Sequence, residues 1–327
     1  MCAKILPKPA SEYPAVSTPS TGALTKHYET ALLREHVVCP VLQTNFATVC
    51  GSLIYASPCC RPDIAITVGL LARCLTFPTP ELMEDAVRCA VYLGQHPDDG
   101  IVFDAKAPGG EIMWSESDSD WALAHSTSGW HVSLAGGLVG YGAKRQHCIA
   151  LSSTEAEIMA ASQLATELVY FRGLLREARM PQLAPTDIGC DNDGARELSI
   201  DRKSCVRSRH LARRVFKVRE LTVTGDVRVV RVATADNRAD LFTKPLLPAT
   251  FLRHKAVLMG AAAGAMSLAN ASLQRGKSIL RQEQPDDLTL PPGAERRITF
   301  ASSVDAGRPG TTATAKRARR VRRASML

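Results

Sequence analysis

The sequence predicts an α/β domain built on a mixed five-stranded sheet flanked by helices, with a small helical segment before it and a basic tail after it. Three observations predict this. Between Ile112 and Leu151, strand-like runs follow one another with short turns between them, the mark of antiparallel pairing. After Thr154, helical and strand-like segments alternate, which adds strands to the same sheet through crossovers. Four isolated acids, Asp118, Glu155, Asp191 and Asp240, each stand at the edge of one of these elements.

In chain order, residues 1–25 are rich in Pro, Ser and Thr and carry no apolar signal core, so a disordered leader is expected. Residues 26–107 show helical spacing. Ile64, Val68, Leu71 and Cys74 share one face, and Leu82, Ala86, Cys89 and Val91–Tyr92 form a second. Pro58, Pro62, Pro78 and Pro80 set the ends of these helices. Residues 108–258 hold the sheet, with strands expected at Ile112–Ser117, Gly129–Ala135, Leu138–Gly142, Cys148–Leu151, Asp187–Cys190 and Arg228–Ala233. Helices are expected at Thr154–Ala178, Asp193–Ile200, Ser208–Thr222 and Asn237–Phe242.

The tail, 259–327, is Ala-rich, then basic, and is expected to be disordered. From Ala261 onward it holds twelve Lys or Arg against five Asp or Glu, so nearly all of the chain's net charge of +8 lies there. Its closing run KRARRVRRA suits a solvated arm, a nucleic-acid contact or a nuclear address. No window approaches 18 apolar residues, so no membrane span is expected. Cysteines without a disulfide or zinc spacing suit an intracellular location, cytoplasmic or, with the basic tail, nuclear. None of the ten cysteines forms a C-x-x-C pair, which favours reduced core thiols over a zinc site.

Acids on separate elements are what a hard divalent cation needs, since it gathers oxygen ligands at one point. Each acid also has a structural alternative. Ser152-Ser153-Thr154-Glu155 is a capping box, Asp191 could be an N-cap, and Asp240 could complement a helix dipole. Asp118 shares its stretch with Asp120, and either could be solvated.

The phrases SDSDWA, STSGW, ALSSTEAE, CDN and ADNRADLFTKPL, in that order, resemble the ribonuclease H domain at the C-terminal end of copia-type (Pseudoviridae-like) LTR retrotransposon Pol polyproteins. The resemblance covers about Glu111 to Leu258. GSL-x-Y, RPDIA and YL-x-x-x-P-x-x-G further resemble the thumb and connection region of the reverse transcriptase before it, while the paired-aspartate polymerase motif is absent from this sequence. The resemblance implies a ribonuclease H-like fold. It also implies a catalytic, metal-binding quartet: Asp118 bridging, Glu155 and Asp191 as partners on either ion, and Asp240 as a looser fourth ligand. Two Mg2+ ions are implied, with Mn2+ as a substitute, and cutting of the RNA strand of an RNA–DNA hybrid. The expected partners are that hybrid and the rest of a Pol polyprotein, with no membrane.

Arg202 to Arg219 contains eight Arg or Lys and no acid, while Leu211, Val215 and Val218 keep an apolar helical face. Arg202, Lys203, Arg207, Arg209, His210, Arg213, Arg214 and Lys217 are therefore the expected nucleic-acid contacts. The sequence departs from the family at HLARR, where Ala212 replaces an acid, and at GYGAKRQ, where the family has Trp and Lys. Two functions follow: an active ribonuclease, or a catalytically inactive nucleic-acid-binding remnant of a truncated element.

Overall fold

The computed structural model describes residues 5–104, 106, 110–122, 125–200 and 212–260. Its sheet consists of β1 (Trp114–Asp120), β2 (Thr127–Leu134), β3 (Gly137–Arg145), β4 (Thr186–Cys190) and β5 (Val227–Arg231), in the order β3-β2-β1-β4-β5. The β1–β2 and β2–β3 pairs are antiparallel, whereas β1–β4 and β4–β5 are parallel. The β2–β3 turn is tight because Ala135 and Gly136 both take positive φ (52° and 76°), as a primed hairpin turn requires.

One expected strand is missing. Cys148–Leu151 is irregular, because its polar groups are used elsewhere: Ala150 O accepts the Trp121 indole N–H at 3.2 Å and Leu151 N donates to Glu155 at 2.8 Å. The expected helix at Asn237–Phe242 is a 3-10 helix over Arg238–Phe242.

The helices are α1 (Ala23–Leu32), α2 (Pro40–Cys60), α3 (Ala65–Ala72), α4 (Pro80–Gln95), α5 (Ser153–Glu177), α6 (Asp193–Ile200), α7 (Ala212–Val223) and α8 (Pro248–Leu258). On one face of the sheet, Ile158, Leu164 and Leu168 of α5 and Val215 and Val218 of α7 pack with Trp130, Val132, Ile188 and Val229. On the other face, Leu138, Leu241, Phe242, Phe251 and Leu258 share one core with Leu24, Phe46, Leu53, Leu71, Leu82 and Tyr92. The helical segment and the sheet domain are thus one body, with no boundary near residue 107.

Polar contacts repeat that junction. Tyr141 Oη donates to the Ser57 carbonyl at 2.5 Å, and Val102 N donates to the Met259 carbonyl at 2.8 Å. Lys255 Nζ donates to Tyr92 Oη at 2.7 Å and pairs with Asp99. The RPDIA phrase is structural, since Arg61 forks onto Asp63 at 2.9 and 2.8 Å and Tyr92 Oη donates to the same carboxylate.

The leader is corrected as well. Residues 5–25 are packed, with Leu6 and Leu24 buried and Ser20 Oγ 2.8 Å from Thr67 Oγ1. Gln95 explains why a Pro-rich stretch can settle here: its Nε2 donates to the carbonyls of Ala10, Tyr13 and Pro14, and its Oε1 accepts from Val16 N. Of the cysteines, Cys50, Cys74, Cys89 and Cys190 are buried as expected, whereas Cys39, Cys59, Cys60 and Cys148 are exposed. Cys2, Cys205 and the tail from Ala261 lie outside the described residues.

The shared core carries a prediction. Residues 108–258 expressed alone should lack a cooperative thermal transition, because the surface around Leu138, Leu241, Phe242 and Phe251 loses its cover. A sharp melt for that fragment, matching the full chain, would show that the two halves fold separately.

Candidate metal centre

Asp118, Glu157 and Asp191 offer carboxylate oxygens that all lie within 4.8 Å of one another. They come from β1, from the first turns of α5 and from the residue following β4, so the sheet's β1–β4 pairing brings them together. Asp240 joins them through the Arg238–Phe242 turn: Thr243 Oγ1 donates to Asp118 Oδ2 at 2.5 Å and to the Asp240 carbonyl at 3.3 Å. Gly129, opposite Asp118 on β2, makes room for this turn; a Cβ there would come within 2.8 Å of the Ala239 carbonyl.

Three of the four expected acids are therefore gathered, and Glu155 is not among them. Glu155 Oε2 accepts the Leu151 N–H at 2.8 Å, and the Glu155 N–H donates to Ser152 Oγ at 3.2 Å. That is capping, the alternative its sequence context allowed. Residues two apart on a helix point roughly 200° apart, so only one of Glu155 and Glu157 can face the strands. The acid that does so is Glu157, buried between Ala156 and Ile158; a charge on the buried face of α5 is the signal that could have found it.

The same division of labour recurs at the other corners. Asn192 caps α6, its Oδ1 accepting Ala195 N–H at 3.0 Å, which leaves Asp191 out of the cap. Asn237 caps the 238–242 turn, accepting Ala239 N–H at 3.2 Å, and leaves Asp240 available. Asp120 is half-buried and closes the β1–β2 connection by accepting the Thr127 N–H, whereas Asp118 is 4% exposed.

Crowding and burial set the electrostatics. Glu157 is 4% exposed; Oε1 accepts Ser119 N–H at 3.1 Å, and Oε2 has no hydrogen-bond partner among the described residues. Burial, then the charges of Asp118 and Asp191, push its pKa up to about 9. Asp240 is pushed up to about 7 by burial and then Asp118, against the pull of Lys244. Asp191 is raised by burial and by Asp118, with a Thr234 side-chain bond opposing. A buried carboxylate oxygen without a donor among the described residues, beside acids whose pKa values the charge of Asp118 helps to raise, fits a hard divalent cation with oxygen ligands. These carboxylates could hold one.

The expected nucleic-acid contacts divide. Arg202, Lys203, Arg207, Arg209 and His210 lie outside the described residues. Arg213 is exposed, Arg214 is half-buried, and Lys217 Nζ donates to Thr166 Oγ1 of α5. Because α7 ends just before β5, whose first residue pairs with Thr186 at the start of β4, its N-terminal end with Arg213 and Arg214 lies toward the Asp191 end of the sheet.

A mixed sheet in the order β3-β2-β1-β4-β5, with helices on both faces and acids meeting at β1 and β4, defines a ribonuclease H-like domain. No protein-family model matches the chain. The retrovirus-related Pol polyprotein from transposon TNT 1-94 of Nicotiana tabacum is 30% identical over 233 residues, 70% of this chain and 17% of that protein. The corresponding polyprotein from transposon RE1 of Arabidopsis thaliana is 32% identical over 212 residues, 64% of this chain and 14% of that protein. The chain belongs to the family of copia-type retrovirus-related Pol polyproteins, of whose length it spans about a sixth. The crystal structure of RNase H1 from the halophilic archaeon Halobacterium salinarum NRC-1 superposes with a TM-score of 0.29 at 17% identity, over 39% of this chain and 90% of that one. None of the described helices is long and apolar enough to cross a membrane.

Proposed function

We propose that the chain is a metal-dependent endoribonuclease that cuts the RNA strand of RNA–DNA hybrids. The observation that carries this is the convergence of Asp118, Glu157 and Asp191 around a carboxylate oxygen, Glu157 Oε2, that no group among the described residues satisfies. Asp118, Glu157 and Asp191, with Asp240 beside them, would hold Mg2+. Divalent ions there would activate the attacking water and offset charge on the departing 3′ oxygen. The protein's own part is positional. Thr243 fixes Asp118, the Ser119 N–H fixes one oxygen of Glu157, and Arg213 and Arg214 on the same end of the sheet offer charge to phosphates. The products are a 3′-hydroxyl and a 5′-phosphate.

The test is cleavage of a labelled hybrid, duplex RNA and duplex DNA by the full chain, with Mg2+ and with chelator. Magnesium-dependent cutting confined to the hybrid is expected, and Asp191→Asn should lower it by at least about a hundredfold, since each 1.36 kcal/mol of barrier is tenfold. Hybrid binding with no cutting under any metal would instead identify an inactive nucleic-acid-binding remnant. Equal cutting by Asp191→Asn would move the chemistry away from this cluster.

A further inference from the structure

Lys244 occupies a place in the cluster that neither the fold nor the proposed chemistry requires. Its Nζ lies 2.8 Å from Asp240 Oδ1, a charge pair across one helical turn's spacing in sequence. Among the described residues it is the one cation within salt-bridge distance of Asp118, Glu157, Asp191 or Asp240. Its exposure is unlike that of its partner: the Lys244 side chain is 44% exposed and that of Asp240 is 9% exposed. The carboxylate is fixed in the wall, whereas the ammonium can swing into solvent on its flexible stem. The preceding residue, Thr243, is itself buried and bonded to Asp118, so the backbone that presents Lys244 is anchored to the cluster.

We propose that Lys244 is the resident counter-cation of the centre: its ammonium neutralises Asp240 in the metal-free protein and yields that carboxylate when a divalent cation binds. Lys244 and the cation compete for one oxygen, so the protein holds its clustered acids together without metal at a cost in metal affinity. This inference rests on the metal-centre assignment above.

Titration of the full chain with Mn2+, following free Mn2+ by electron paramagnetic resonance without nucleic acid, tests both. Lys244→Gln should bind Mn2+ more tightly, on the order of tenfold, because a nearby positive charge has been removed. Lys244→Arg keeps the charge and should bind no more tightly than the parent. In chelator Lys244→Gln should melt below the parent, and saturating Mn2+ should close that gap. Unchanged or weaker Mn2+ affinity in Lys244→Gln overturns the proposal, as does tighter binding by Lys244→Arg, which serves alone if the Gln variant does not fold. Mn2+ binding by the parent that is indifferent to Glu157→Gln shows instead that the metal centre is misplaced, and this inference falls with it.

Discussion

Glu157→Gln is expected to lose at least about a hundredfold in magnesium-dependent cleavage while gaining stability in the absence of metal, and Glu155→Gln is expected to do neither. The two glutamates are two residues apart on α5, yet one is a cap and the other faces the acids. Gln can serve in a capping box, so Glu155→Gln should melt within a few degrees of the parent and cut hybrid normally. At Glu157 the same change removes a charged oxygen donor that a hard cation needs.

The stability gain follows from proton linkage. Burial and the neighbouring acids raise the Glu157 pKa from 4.5 to about 9 in the metal-free fold. Below pH 4.5 the group is protonated whether folded or unfolded and contributes no penalty. As pH rises from there toward 9, the unfolded chain gives up the proton that the folded chain keeps, and stability falls by about 1.4 kcal/mol per unit. Asp240, raised to about 7, and Asp120, raised to about 6, act in the same direction over narrower windows. Urea midpoints of the parent in chelator should therefore decline between pH 5 and 8, more gently in Glu157→Gln, and Mg2+ should offset the decline. A parent and a Glu157→Gln variant with the same pH slope, or equal cleavage rates, would remove Glu157 from the centre.

What the sequence disclosed and what it hid divide along physical lines. The strands and the long α5 helix are legible because each sits where periodicity breaks against a turn residue, and the positions of Asp118, Asp191 and Asp240 at element edges point to the end of the sheet where the structure gathers them. Which glutamate joins them is not legible, because STEAE holds two acids on one helix turn. Choosing between them needs the helix's rotation relative to β1, which no local pattern fixes. The packed leader is illegible for a different reason: Pro, Ser and Thr composition signals disorder, and what overrides it is a set of distant partners, with Gln95 bonding three carbonyls of the leader, His96 meeting the Val16 carbonyl and Thr67 meeting Ser20. The merged core of the helical segment and the sheet was hidden in the same way, since Tyr141 and Ser57 meet only once the chain has folded.

Beneath the acids lies a buried charge network that no motif announced, and it yields the other large prediction. Glu116, 3% exposed, stands two residues before Asp118 on β1. Its carboxylate accepts from Arg238 Nη1 at 2.5 Å and from the Arg238 backbone N–H at 2.7 Å, and it pairs with His131 Nε2 at 3.1 Å. Burial alone would raise the Glu116 pKa, but the Arg238 charge and the His131 bond outweigh it and hold the group below the ordinary range. Burial lowers the His131 pKa, with the Glu116 bond opposing; the ring's Nε2 faces Glu116 and its Nδ1 lies 3.3 Å from Ser133 Oγ. The Arg238 guanidinium also lies 5.3 Å from the Trp114 ring centroid. Arg238 opens the turn that carries Asp240, Thr243 and Lys244, and Asn237 Nδ2 ties the same turn to the Ser117 carbonyl at 3.1 Å.

Arg238→Met should thus leave Glu116 buried without its charge partner and cost about 3–5 kcal/mol at neutral pH. The sign with pH is fixed. In the parent, Glu116 adds stability that is present above its unfolded pKa and lost as pH falls through its lowered folded value. In the variant, its pKa should rise, so stability is lost as pH increases. Both effects make the cost of Arg238→Met smaller in acid. Adding Glu116→Met should recover much of the loss, because an apolar pair of similar volume removes the stranded charge. Cleavage should stay low in the double variant even where the fold has recovered, since the turn bearing Asp240 is no longer pinned to β1. A cost at Arg238→Met below about 1 kcal/mol, or full cleavage in the double variant, would reduce this network to an incidental contact.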